Sequence, residues 1–254
     1  LIYCINSFLV LSVFLLARKI GGNIVGLTSA FLIAITRTFF TLYWGYYAEE
    51  LGTFLMPLAF YFILQKKLKA AVFTSSFLLL SHPLTFSPLM FGTISYYYWL
   101  CASHSSTKRF FKSEYAREFA ILLLGILCLS SWWLTILLYP PPYNPLPKAQ
   151  TDIFPINWQI LWGVPYPILI MGVIGIFALI ITKRDFFIIT WLGIIVWFML
   201  FSKGLLIGEL KSIIGNPARL VNDYGLVLVI LSGIGIKWII DTIFSTSTIR
   251  MSFK

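Results

Sequence analysis

Four ionisable side chains stand at the edges of long apolar runs, and their types suit holding an anion and polarising a hydroxyl or binding a metal. Arg219 closes the segment Asn216-Pro217-Ala218-Arg219, directly ahead of an apolar run. Asparagine is a good helix N-cap and proline suits the first helical position, so a helix is expected to begin here with Arg219 in its first turn. The helix dipole disfavours a cation at that place, so Arg219 calls for an anion. One candidate is a phosphate, held by the guanidinium and the free N–H groups together. The other candidates are Asp223, four residues on, and a lipid headgroup. Glu49 and Glu50 close Tyr43-Trp44-Gly45-Tyr46-Tyr47-Ala48-Glu49-Glu50. The aromatic residues suit an interfacial belt. The carboxylates suit a divalent metal or the polarisation of an acceptor hydroxyl. Neighbouring residues on a helix point to different faces, so at most one of the two faces inward. His82, in Ser81-His82-Pro83-Leu84-Thr85, is either a hydrogen-bonded structural residue at a helix end or a site residue at a turn. No catalytic residue is assigned, and no cofactor is identified beyond the option of a divalent metal.

The elements that must hold these residues follow from composition. Of 254 residues, 59% are hydrophobic and only 11% charged, against about 25% charged in a soluble domain. So much apolar side chain cannot be hidden in one water-soluble core, and the remainder must face lipid. The expected fold is an all-α, polytopic integral membrane bundle of about nine spans, forming a single transmembrane domain over residues 1–254. The apolar runs are Leu1–Ala17, Asn23–Phe40, Leu51–Leu64, Ala70–Phe86, Ser87–Ala102, Phe119–Tyr139, Ile168–Ile181, Phe186–Phe201 and Val221–Ile240.

Charge sets their direction. Alternate loops and the C-terminal end hold 14 of the 19 basic residues, and the opposite loops hold 5. Cytoplasmic loops carry the excess of Lys and Arg, so the N-terminus is expected outside, the C-terminus in the cytosol, and the protein in the cell membrane. The net charge of +10 then reads as orientation signals beside anionic lipid, with no nucleic-acid partner. Cys4, Cys101 and Cys128 lie far apart in apolar stretches, with neither metal nor disulfide spacing. The spans carry no ionisable residue near their centres, which argues against an ion-coupled transporter. Ala70–Ala102 goes out and back with one break at Ser81-His82-Pro83, predicting a turn sunk below the outer surface beside an outward-open cavity. Outer loops are expected near 139–163, which is proline-rich, and 202–222.

Three segments resemble the polyprenyl-phosphate-dependent membrane glycosyltransferases of the GT-C fold, particularly their uncharacterised archaeal and bacterial branches. They are Trp44-Gly45-Tyr46-Tyr47 with Leu55-Met56-Pro57-Leu58-Ala59, then Leu80-Ser81-His82-Pro83-Leu84-Thr85, then Pro217-Ala218-Arg219 running into Leu226–Gly235. The resemblance implies an enzyme that takes a sugar from a lipid-phosphate carrier on the extracytoplasmic face. Arg219 would hold the lipid phosphate, while Glu49 or Glu50 and His82 would line the sugar or acceptor site. Such enzymes carry an essential acidic residue in an outer loop after their first span. This sequence begins on the outer side, so that loop, and the general base with it, is expected upstream of Leu1. The alternative reading is a lipid-linked saccharide flippase or another transport component. Its partners would again be membrane lipid and a lipid-phosphate-linked sugar, and the oligomeric state is open in either reading.

Overall fold

The computed structural model describes residues 2–40, 47–81, 83–104, 113–131, 164–182, 185–205 and 221–252. Among these residues the chain forms nine α-helices and no strand, the all-α class expected. They are α1 (Ile2–Gly21), α2 (Asn23–Phe40), α3 (Tyr47–Leu64), α4 (Leu68–Ser81), α5 (Pro83–His104), α6 (Glu114–Leu129), α7 (Tyr166–Thr182), α8 (Phe186–Leu205) and α9 (Val221–Ser252).

The helix ends have local causes. The α1–α2 hairpin turns at Gly22, whose φ of 90° is open to a residue without Cβ. At the end of α3, Lys66 takes φ 57°. Its N–H donates to the Ile63 carbonyl at 3.0 Å, and the Lys67 N–H to the Phe62 carbonyl at 3.0 Å, the paired bonds of a Schellman cap. Pro83 opens α5 at the position that suits a residue without an N–H. The two arms around it are therefore unequal, with 14 residues in α4 and 22 in α5. α6 begins at Glu114, ahead of its apolar run, because the Ser113 hydroxyl caps it by accepting the Ala116 N–H at 3.2 Å. α9 runs on past Ile240 to Ser252, with the ion pair Lys237–Asp241 one turn apart along it. The expected outer loop 139–163 lies outside the described residues. Of 202–222, residues 202–205 belong to α8 and 221–222 to α9.

α9 packs against α7, α2, α8 and α1, while α3 packs against α1, α4 and α5, and α8 against α5. Side-chain register gives the helix directions. Gly172 meets Leu228 and Gly175 meets Leu231, so α7 and α9 advance together and run parallel. Ser29 meets Val229 while Val25 meets Gly233, so α2 runs against α9. Lys66, just ahead of α4, pairs with Glu118, and Val72 meets Gly125, so α4 and α6 are parallel. Tyr97 meets Phe119 and Cys101 meets Ser113, so α5 opposes α6. Tyr96 meets Phe187 and Gly92 meets Trp191, so α5 opposes α8 as well. Phe8 and Phe54, each about two turns into its helix, lie 5.9 Å apart, which sets α1 alongside α3. Odd-numbered and even-numbered helices thus point in opposite directions.

The outward surfaces are apolar. α2 exposes Ile24, Leu27, Phe31 and Ile35 along one stripe, α4 exposes Phe73 and Phe77, and α7 exposes Ile170, Val173 and Phe177. The buried residues include the hydroxyls of Ser12, Ser29, Thr53, Ser75, Ser95 and Ser232. Among the described residues one stretch, Tyr224–Phe244, is by length and composition able to cross a membrane alone. Five further apolar stretches, in α2, α3, α4, α7 and α8, are shorter.

Candidate functional site

With directions fixed, the helix ends sort into two groups. At one end lie Arg18 and Lys19 on the last turn of α1, the Gln65-Lys66-Lys67 turn, Lys69, and the start of α6 with Arg117. At the other end α3 begins, α4 gives way to α5, and α9 begins. Glu49 and Glu50 belong to the first turn of α3, and their side chains fall outside those described. His82 is the residue between α4 and α5, and Arg219 precedes Val221 of α9 by two positions; both lie outside the described residues. Asp223, the alternative partner of Arg219, is in the first turn of α9 and its side chain is likewise outside the described set. The helix termini that bracket all four candidates therefore share the end opposite the lysines. Among the described residues there is no group of His, Cys, Asp and Glu able to hold a metal.

α9 leads away from Arg219, and the packing of α9 sets the depth at which that end of the helix stands. On one side α7 approaches until backbones touch: a Cβ on Gly175 would overlap the Leu231 carbonyl oxygen, and one on Gly235 the Met171 carbonyl oxygen. Ser232 Oγ, wholly buried, donates to the Ile168 carbonyl of α7 at 2.7 Å and lies 2.8 Å from its own helix at Leu228 O. On the other side a Cβ on Gly233 would strike Ser29 Oγ of α2. Small residues at such a seam let the two backbones approach closely and gain dispersion contact. Near its start, α9 buries Tyr224 and stands beside Val164, ahead of α7.

α5, which leads away from His82, is held by an indole. Trp191 of α8 is fully buried and donates its Nε1–H to the Pro88 carbonyl at 2.7 Å. Gly92 leaves room for the ring, since a Cβ there would lie 2.8 Å from Trp191 Cε2. Phe60 of α3 packs on the same indole with centroids 4.7 Å apart. Phe187, Tyr96 and Trp99 continue the cluster. α3, α5 and α8 are thus joined by aromatic contacts, and two of them bear the candidate residues at their far ends. Reading the sequence for ionisable groups passes over Trp191, Gly92, Ser232 and Gly175. Spacing is a signal for the last two, in Gly172-x-x-Gly175 and in Ser232-Gly233-x-Gly235, and there is none for Trp191 or Gly92.

Compared with protein-family models, with curated proteins and with solved structures, the chain matches none at a significant level.

Proposed function

We propose that the chain is a multi-pass integral membrane protein. Its helices cross the bilayer alternately, and its extracytoplasmic end handles a sugar carried on a polyprenyl phosphate. The membrane part of this reading is supported by stripes of exposed Ile, Leu and Phe on the outward faces of helices whose core is itself apolar, so both faces are hydrophobic. It is also supported by the alternation of helix directions, obtained from packing, which agrees with the alternation of loop charge. Helices shorter than about 20 residues suit a span whose ends continue in interfacial residues.

The glycosyltransferase part is carried by one observation: the helix ends bracketing Glu49, Glu50, His82 and Arg219 are all at the end of the bundle opposite the basic one. In this reading Arg219 holds the phosphate of the donor in a bidentate grip. Glu49 or Glu50 and His82 line the sugar or acceptor side. In the transfer, the bond between sugar C1 and the phosphate oxygen breaks and a bond from C1 to the acceptor oxygen forms. The acceptor's proton leaves to a base, and the phosphate departs with its electron pair, its charge met by the guanidinium.

The test is transfer from a polyprenyl-phosphate sugar in membranes carrying the protein. Arg219→Ala is expected to cost about 10²–10³-fold in rate, as loss of a group stabilising developing charge does, with insertion unchanged. Arg219→Lys is expected to fall between, because an ammonium is a point charge without the fork. Undiminished transfer by Arg219→Ala removes the phosphate role. Carrier movement across the bilayer without transfer would favour the transport reading instead.

A further inference from the structure

The basic end holds more cation than its neighbours neutralise. Among the described residues there, Lys66 is paired, with Glu118 Oε1 at 3.4 Å and with the Tyr115 ring 5.0 Å below its Nζ. Arg18, Lys19, Lys67 and Lys69 are exposed, and no described carboxylate pairs with them. α1 and α4 both pack on α3, and α1 lies alongside it, so these four cations end neighbouring helices on one side of the bundle.

Beneath them α3 presents an apolar, partly accessible stripe. α3 has no fully exposed side chain from Leu51 to Leu64, and its partly accessible residues, Leu51, Phe54, Leu58, Tyr61 and Phe62, recur at helical spacing along one stripe. α1 stands beside that stripe with exposed Phe8 and Leu11, Phe8 touching Phe54 at 5.9 Å between centroids. α4 carries Lys69, Phe73 and Phe77 on one face, a cation one turn above two exposed rings. Arg18 lies in the same way over Phe14, at 5.8 Å from its centroid.

We infer that the apolar stripe of α3, with the neighbouring ends of α1 and α4, binds an anionic phospholipid of the cytosolic leaflet. Its phosphate sits among Arg18, Lys19, Lys67 and Lys69, and its acyl chains lie on Phe54, Leu58 and the rings of α4. The occupant is argued from charge and shape together. Four unneutralised cations ask for an anion, and the apolar stripe directly below them asks for hydrocarbon. A soluble anion would meet the first demand and leave the second unmet. This assignment rests on the membrane reading above and is independent of the sugar chemistry.

The full chain is reconstituted in nanodiscs of phosphatidylcholine mixed with phosphatidylglycerol. The phosphatidylglycerol retained on the protein after detergent extraction is counted by mass spectrometry. The pair Lys67→Gln with Lys69→Gln is compared with Arg117→Gln on α6 and Lys237→Gln on α9, cations at the same end on helices that carry no part of the stripe, Lys237 being paired with Asp241. Retention of phosphatidylglycerol over phosphatidylcholine is expected to fall about fivefold per cation removed from the first pair, the equivalent of about 1 kcal/mol each, and to stay unchanged in the comparison pair. Equal losses in both pairs, or none in either, would overturn the inference. So would a thermal midpoint in pure phosphatidylcholine that rises with inorganic phosphate as it does with phosphatidylglycerol. A chain released from membranes by alkaline carbonate would instead sink the membrane reading.

Discussion

The indole of Trp191 combines two functions usually divided between residues. It fills the space that Gly92 leaves on α5, and it ties α8 to that helix with a buried hydrogen bond to Pro88 O. Pro88 has no N–H, so α5 lacks one rung of its ladder near this point. The indole bonds the segment from outside the helix. Trp191→Phe keeps most of the ring and loses the donor, with an expected cost of about 1 kcal/mol. Trp191→Ala also opens a cavity against Phe60 and Phe187, with an expected cost of about 3–5 kcal/mol. Thermal unfolding in mild detergent reads both. Equal destabilisation by the two would mean that the hydrogen bond dominates and the ring contacts contribute little.

Among the helices, the α7–α9 seam is the tightest contact. Gly175 cannot take a methyl group without moving the backbone of α9 away, whereas Gly193 of α8 has open space around its Cβ position. Gly175→Ala is expected to lower stability by about 1–3 kcal/mol through overpacking. Gly193→Ala, a gain in helix propensity with nothing to strike, is expected to leave it unchanged or raise it by up to about 1 kcal/mol. Matching thermal midpoints for the two variants would show that the seam yields freely. The positions of the helices could be read from apolar runs: Asn23–Phe40 became α2 without change, and the break at Ser81-His82-Pro83 divides α4 from α5. Where the runs misled, polar residues were the reason. Ser113 caps α6 ahead of its first apolar residue, and α9 continues past Ile240 because helical bonding does not stop where hydropathy falls. The glycine seams left only a spacing signal, because a glycine scores the same in hydropathy whatever lies against it. Of the candidate site, the sequence showed which residues could do chemistry, and helix direction then put their helix ends at one end of the bundle. Which side chains meet depends on partners far along the chain.

For the whole molecule, the alternation of direction can be tested by labelling. In a chain with Cys4, Cys101 and Cys128 replaced, an impermeant maleimide applied to intact cells is expected to label Tyr166→Cys, at the start of α7. It is expected to miss Lys69→Cys until the membrane is opened. Labelling of both before opening, or of Lys69→Cys alone, would reverse or abolish the proposed orientation. The seating of α9 between α2 and α7 also bears on how the protein is made. The Ser29 hydroxyl meets a carbonyl 200 residues later in the chain, which a ribosome working at about 5–20 residues per second reaches roughly 10–40 s after Ser29. Throughout that interval the serine face of α2 has no α9 to receive it, and the glycine face of α7 waits from its own synthesis onward. α7 cannot settle against α9 until α8, which lies between them in the chain, and α9 itself have been made. Nascent chains that stop before Val221 are therefore expected to persist as inserted but unclosed bundles, with two small-residue faces open to other helices or to quality-control proteases.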